Sequence, residues 1–372
     1  VGIQFNIVKD TIYVVDAIAG GPSERLGIRA GDRIIGIDTE NVAGVGFKNS
    51  DVMDRLRGKK GSKVNVSILR RGEPNPLEFT ITRDKIPIYS VEAGYMATPS
   101  IGYIKVSRFS ATTMTEFRSK LDELKALGME DLVLDLQGNG GGYLRTAIDM
   151  ADEFLGDKKL IVYTEGRTSP RDDTYATKDG RMEKGKLVVM VDEGSASASE
   201  IVSGAIQDWD RGLVVGRRSF GKGLVQRPVM LPDGSAVRLT VSRYYTPSGR
   251  SIQKPYDEGV EAYQRERIER LAKGELSSVD SIHTTDTVKF FTMNKRIVYG
   301  GGGIMPDVFV PIDTTLSSPY FGQLVRKGIL NTYALAYVDE NRRTLLTQYH
   351  NVAEFDKDFV IGPDLFKGLE RA

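Results

Sequence analysis

The stretch KLVVMVDEGSASASEIVSGAIQD, residues 186–208, sets an apolar run, a turn of small residues and an amphipathic segment in immediate succession. The run LVVMV suits a strand covered on both faces. After the turn, Ile201, Val202, Ala205 and Ile206 fall on one helical face. A strand-to-helix turn of this kind lifts a side chain above the sheet at a helix N-terminus, where amides and the macrodipole favour developing negative charge. Ser195, Ser197 and Ser199 all compete for that position, with no histidine nearby in the sequence. The local sequence favours a simpler role, because serine is a preferred N-cap and Glu200 can complete a capping box with Ser197.

Outward from this unit the alternation continues. SIGYIKVSRF reads as a strand, TTMTEFRSKLDELKALG as a helix and DLVLDL as a strand; YLRTAIDMADEFLG is a helix with Leu144, Ala147, Ile148, Ala151 and Leu155 on one face. Such alternation predicts an α/β domain with a mainly parallel sheet over residues 86–315. Within it, QRERIERLAKGEL marks a charged helical insertion near 256–298, and a mixed extension over 316–372 has a helix near YFGQLVRKGILNTYALAYVDEN. Residues 1–85 differ in kind: IQFNIV, TIYVVDAI, DRIIGID, KVNVSILRR and LEFTITR are short strands separated by turns. GGPSERLGIRAGD is a loop holding one helical turn, and FKNSDVMDRLRGKKG a helix that buries Val52, Leu56 and Met53. The expected architecture is a multidomain α+β and α/β chain, in which a small β-rich domain precedes a larger α/β one.

Composition narrows the function classes. With 372 residues and 40% hydrophobic content, the chain can bury more than one core. Fifty-one basic against fifty acidic residues leave a net charge of +1, so no global field draws it to nucleic acid or an anionic membrane. The absence of cysteine removes disulfides, thiol catalysis and thiolate metal sites, and suits a cell-envelope protein. The two histidines, His283 and His350, form no i,i+3 or i,i+4 pair, which argues against a zinc-hydrolase helix. No apolar run reaches the roughly 18 residues of a membrane span. The chain opens on VGIQFNIV, without a basic segment followed by an apolar one, so neither a signal peptide nor a span is expected in it. Since it opens within a strand, it reads as a piece of a longer precursor.

Two glycine clusters invite a nucleotide site, and neither holds. In QGNGGGY, Gly138 and Gly140 begin G-x-G-x-x-G, but the last position is Tyr143. In GRRSFGKG, Gly216, Gly221 and Lys222 fit G-x-x-x-x-G-K, yet Gly223 replaces the hydroxyl that would bind magnesium. The following LVQRPVML reads as a strand and supplies no helix N-terminus for phosphate. Lys222 is then either a solvated surface charge or a group with another task. A lysine can serve as the missing base for a serine where burial lowers its pKa from about 10.4 toward 7–8. That shift corresponds to about 4 kcal/mol, which an apolar, closed pocket can supply, and Phe220, Leu224 and Val225 could wall one.

Six segments, PSERLGIRAGD, DLQGNGGG, GSASASEI, FGKGLVQ, YYTPSGRSIQ and GGIMPD, occur in the order found in the C-terminal processing peptidases, or tail-specific proteases, which the chain resembles. The resemblance implies a PDZ-like domain followed by a crotonase-like serine protease domain. It carries the nucleophile onto Ser197, the general base onto Lys222 and the glutamine that orients the lysine amine onto Gln226, with 222 and 226 on one face of a strand. Ser195 and Ser199 become turn or capping residues, and Glu200 caps the helix or tunes the site. The oxyanion donors fall on the amides of Ala198 and Gly141, or Gly142. Where the family has Arg and Pro in this turn, the chain has Gln137 and Gly140, which costs a charge and some rigidity. In TPSGRSI, Ser248 and Ser251 are expected to be structural.

The implied activity is serine endopeptidase cleavage of polypeptides near their C-termini, with no metal or cofactor. The PDZ-like domain would bind the substrate's free C-terminus at Gly2, Ile3, Gln4 and Phe5, in a loop expected to be cut short, and could regulate the site. Expected partners are polypeptides with free C-termini, an adaptor protein and further copies of the chain, and not nucleic acid. The expected location is the periplasm or cell envelope. The competing classes are a catalytically idle PDZ scaffold and an apolar-ligand carrier on the same fold.

Overall fold

A computed structural model describes residues 1–177, 180–282, 288–313, 315 and 318–371; His283 and part of the expected insertion lie outside the described residues. The chain divides into one unit of Val1–Ile88 with the segment from 314 onward, and a second of Tyr89–Asp313.

In the first unit, strands β1 (Ile3–Val8), β2 (Thr11–Ala17), β3 (Arg33–Ile37), β4 (Glu40–Asn41), β5 (Lys63–Leu69) and β6 (Leu77–Thr82) accompany helices α1 (Pro22–Arg25) and α2 (Asn49–Leu56). The strands pair antiparallel in the order β1-β2-β3-β5-β6, with β4 beside β3. The period-2 pattern decides the buried face: Val64, Val66 and Ile68 of β5 point inward to meet Val52 and Leu56 of α2 in one core. The loop between β2 and β3 is pinned by Asp32, 1% exposed, which accepts two hydrogen bonds of 2.7 Å from Arg70.

The second unit contains β7 (Val91–Met96), β8 (Ile101–Val106), α3 (Thr113–Ala126), β9 (Asp131–Asp135), α4 (Leu144–Asp152), β10 (Leu160–Glu165), β11 (Asp172–Tyr175), β12 (Leu187–Val191), α5 (Ala198–Asp208), β13 (Leu213–Gly216), β14 (Leu224–Met230), β15 (Ala236–Tyr245), α6 (Val260–Ala272), β16 (Lys289–Phe291), β17 (Ile297–Tyr299) and β18 (Val308–Phe309). A mixed six-stranded sheet runs β18-β13-β12-β9-β8-β7, parallel at every pairing except β7 with β8. A second, antiparallel sheet runs β11-β10-β15-β14. Pro228 is tolerated in β14 because that strand is the sheet's edge.

The opening stretch forms central strand β12, its turn and α5. Periodicity predicts one apolar face for α5, yet every residue of the helix is buried. Its polar residues are inside because each is bonded: Ser199 and Glu200 tie the turn around Ser197, Ser203 donates to the Ser199 carbonyl at 2.8 Å, and Gln207 and Asp208 accept from buried Arg250 at 2.6 and 2.8 Å. The insertion forms α6 within residues 256–298. At the C-terminus, the single expected helix becomes α7 (Pro319–Arg326) and α8 (Ile329–Gln348), broken at Gly328 with φ +68°; α9 (Val352–Asp358) and α10 (Pro363–Glu370) follow. Asp339 of α8 forms an ion pair with Arg33 of β3 at 2.5 Å, which joins these helices to the N-terminal strands as one unit.

Candidate active site

The three serines of the opening stretch separate by environment. Ser195 is fully buried and donates to the Leu136 carbonyl at 2.8 Å, while Ser199 donates to the Asn139 carbonyl at 2.8 Å. Ser197 is half-buried and faces a cavity. Its backbone sits at φ +57°, ψ −110°, a region a non-glycine residue occupies at a cost of about 1–3 kcal/mol. Its side chain makes no capping hydrogen bond to α5. The Glu200 half of the capping box that the sequence allows is made, its carboxylate accepting from the Ser197 amide.

Glu200 settles the position instead. Completely buried, it accepts from the Ser197 amide at 2.7 Å and the Lys222 amide at 2.9 Å on Oε2, and from the Ser219 hydroxyl at 2.5 Å and the Gly221 amide at 2.7 Å on Oε1. Burial pushes its carboxyl above the usual 4.5, while the Ser219 hydroxyl and the Lys222, Gly221 and Ser197 amides pull the other way. One carboxylate thus holds the main chain of Ser197 and that of Lys222, which lie far apart in sequence. The two roles left open for Glu200 merge: by bonding the N-cap amide it also fixes the partner segment.

Tyr244 makes a second bridge. Its hydroxyl donates to the Ser197 carbonyl at 3.1 Å and approaches the Lys222 carbonyl, and burial pushes the phenol well above its ordinary 10.0. Gln253 accepts from the Gly223 amide at 2.8 Å. Sequence reasoning missed Tyr244 and Ser219; no spacing marks them, because they meet the site only through the sheet and the turn.

The glycine turn packs directly against the Ser197 turn. Buried Asn139 organises it: Oδ1 accepts from Gly141 at 2.9 Å, Nδ2 donates to the Val106 carbonyl at 2.8 Å, and its own carbonyl accepts from Ala196 at 2.9 Å. A Cβ on Gly141 would lie 2.8 Å from Ser197 Cβ and 3.0 Å from the Ala198 nitrogen, and one on Gly142 would lie 1.9 Å from the Phe109 carbonyl oxygen. Both positions therefore require glycine. Of the three candidate oxyanion donors, Gly141 has its amide engaged by Asn139, while the amides of Ala198 and Gly142 have no protein acceptor among the described residues. Gly140 is different, since nothing lies within 4 Å of a Cβ there.

Ser197, Lys222, Gln226 and the glycine turn line one cavity of about 730 Å³, whose apolar walls include Phe109, Ile201, Leu224 and Val225. Among the described residues, no carboxylate lines it. Lys222 Nζ has no hydrogen-bond or ion-pair partner among the described residues. Gln226 reaches the cavity by a route the sequence does not foresee: Lys222 precedes β14, and a bulge between Val225 and Gln226 interrupts the strict alternation. Among the described residues, Gln226 makes no hydrogen bond to Lys222. Ser248 and Ser251 lie outside the cavity lining; the Ser248 amide donates to Asp208 at 2.9 Å.

In the first unit, Gly2 has φ +81°, and Ile3, Gln4 and Phe5 lie at the start of β1, the outermost strand of its sheet. The side chains of Ile3 and Phe5 pack partly into the core, and Gln4 points to solvent.

Fold and site define the class: a PDZ domain in one chain with an α/β serine-peptidase domain. A model of peptidase family S41 matches residues 100–262, a PDZ-domain model matches residues 1–81, and residues 320–371 match a family of unknown function. The carboxyl-terminal-processing protease of a Synechocystis strain is 37% identical over 259 residues, 68% of this chain and 60% of that protein. Carboxy-terminal processing protease CtpA of Bacillus subtilis is 35% identical over 68% of this chain and 53% of its own length. A solved structure, the photosystem II D1 C-terminal processing protease, is 30% identical, with a TM-score of 0.44 over 84% of this chain and 72% of that one. The chain belongs to peptidase family S41, among the carboxyl-terminal-processing proteases, and spans about 60% of the length of the Synechocystis relative.

Proposed function

We propose that the chain is a serine endopeptidase acting near polypeptide C-termini through a Ser197–Lys222 dyad on a crotonase-like fold. The observation that carries this reading is the Glu200 carboxylate, which bonds the amides of both residues beside one cavity. Ser197 Oγ attacks the scissile carbonyl carbon while Lys222 Nζ takes the hydroxyl proton; the same nitrogen returns it to the leaving amine, and water then hydrolyses the acyl-serine. The negative charge on the former carbonyl oxygen is met by the Ala198 amide and one from the glycine turn, Gly142 having the free N–H. Gln226 lies in the same cavity and orients the lysine amine once substrate orders the site.

Substrate C-termini add to the open edge of β1 at Gly2–Phe5, where backbone groups supply affinity. Docking there regulates the active site, either directly or with an adaptor. Self-association of the chain and action in the periplasm or cell envelope complete the proposal, the latter fitting a chain without cysteine. Incubation with an unstructured protein, read by mass spectrometry, tests the chemistry. Wild type is expected to cleave and Ser197→Ala and Lys222→Ala to lose cleavage; retained cleavage in either variant removes that residue from the dyad.

A further inference from the structure

The charged insertion would be no more than a solvated face if its basic residues pointed outward, but two of its ties run inward. Arg270 of α6 is 3% exposed, and its guanidinium donates to the Arg218 carbonyl at 2.6 Å, the Ser219 carbonyl at 3.1 Å and Glu275 Oε1 at 2.9 Å. Arg218 shares that carboxylate through contacts of 2.6 and 2.8 Å. On the other side, Lys254 is 3% exposed; its Nζ donates to the Tyr263 carbonyl and to Glu266, both at 3.0 Å, and sits 4.1 Å from the Phe220 ring centroid. Its amide donates to the Gly221 carbonyl at 2.9 Å. The insertion therefore grips residues 218–221 immediately before Lys222, and Ser219 passes that grip to Glu200 through its hydroxyl.

We propose that Arg270 is a positioning residue for the Ser197–Lys222 pair, acting through the Ser219–Lys222 main chain and Glu200. Burying a guanidinium is costly unless every donor is used. Here two of its contacts go to main-chain carbonyls within four residues of the lysine, which fixes where that backbone lies. A displacement of about 1 Å at a reacting group can cost on the order of 100-fold in rate.

The proposal rests on the serine-peptidase reading, and the test separates the two. Arg270→Met keeps the aliphatic stem and removes the fork; Arg270→Lys keeps one donor and the charge. On an unstructured protein substrate, Arg270→Met is expected to lower kcat roughly 10- to 100-fold with KM little changed. It should slow labelling of Ser197 by a fluorophosphonate by a similar factor, and Arg270→Lys should recover part of both. Thermal melting reports whether each variant is folded. A folded Arg270→Met with wild-type kcat and labelling rate, whatever its melting temperature, overturns the positioning role. If Arg270→Met does not fold, Arg270→Lys decides, since a wild-type rate there shows that the fork is not needed. Cleavage that survives Ser197→Ala at the wild-type rate removes Ser197 from the dyad and refutes this proposal with it.

Discussion

The cavity around Ser197 and the open edge of β1 solve opposite problems. Around Ser197, buried polar side chains converge on the main chain: Glu200 accepts from four donors, Asn139 holds the glycine turn, and a non-glycine residue is kept at positive φ. At β1, the proposed recognition rests on backbone groups along the outermost strand of the sheet, with Ile3 and Phe5 only half buried. Chemistry requires groups whose positions are fixed before substrate arrives, since reorganisation during reaction raises the barrier. Recognition of many chain ends requires only an available edge and a pocket. The contrast implies that small changes should be ruinous in the first region and graded in the second.

The largest effect should come from Gly142→Ala, whose Cβ would lie 1.9 Å from the Phe109 carbonyl oxygen and 2.7 Å from its carbon. Loss of the turn and of the amide proposed as oxyanion donor should reduce cleavage by about 100- to 1,000-fold, measured as kcat; near-normal turnover would show the wall to be pliable. Glu200→Gln comes next. An amide group in place of one oxygen faces N–H donors with a donor, leaving buried amides unsatisfied at about 1–3 kcal/mol each. Urea denaturation should report that loss together with weaker turnover, and unchanged stability would break the picture of Glu200 as the shared tie.

For β1 the informative change is in the ligand. Amidating the C-terminus of a bound peptide should weaken binding about tenfold or more in calorimetry, the value of hydrogen bonds to a charged group, whereas equal affinity would remove the carboxylate from recognition.

Smaller still is a pH effect beside the site. Burial alone would raise the Glu275 carboxyl, but hydrogen bonding and charge from Arg218, with Arg270, hold it below its usual 4.5. A carboxyl lowered in the folded state contributes stability above its unfolded pKa and loses it as pH falls through the folded one. The stability gap between wild type and Glu275→Gln should therefore be widest near neutrality and close below pH 4.5, as denaturation at several pH values would show. At the bottom of the order, Gly140→Ala should leave turnover unchanged, because a Cβ there meets nothing within 4 Å. A large loss would mean the turn moves during catalysis.

Much of this was legible in the chain. Alternation located the strands of the first unit, and the small-residue turn between LVVMV and the helix located the serine loop, because both signals are local and periodic. Other features were not, since they join residues distant in sequence. Nothing in the spacing says that Ser219 and Tyr244 meet the Ser197 turn, that a bulge re-aims Gln226, or that α5 is buried all round.

By itself, the sequence determined the family, the order of elements and which residue types could do the chemistry, since patterning and turn composition act through near neighbours. Only the tertiary structure decided how the three serines differ and how Glu200 joins Ser197 to Lys222. The physical reason is that burial and hydrogen-bond satisfaction are properties of packed neighbours, and parallel strands bring those neighbours together from far along the chain.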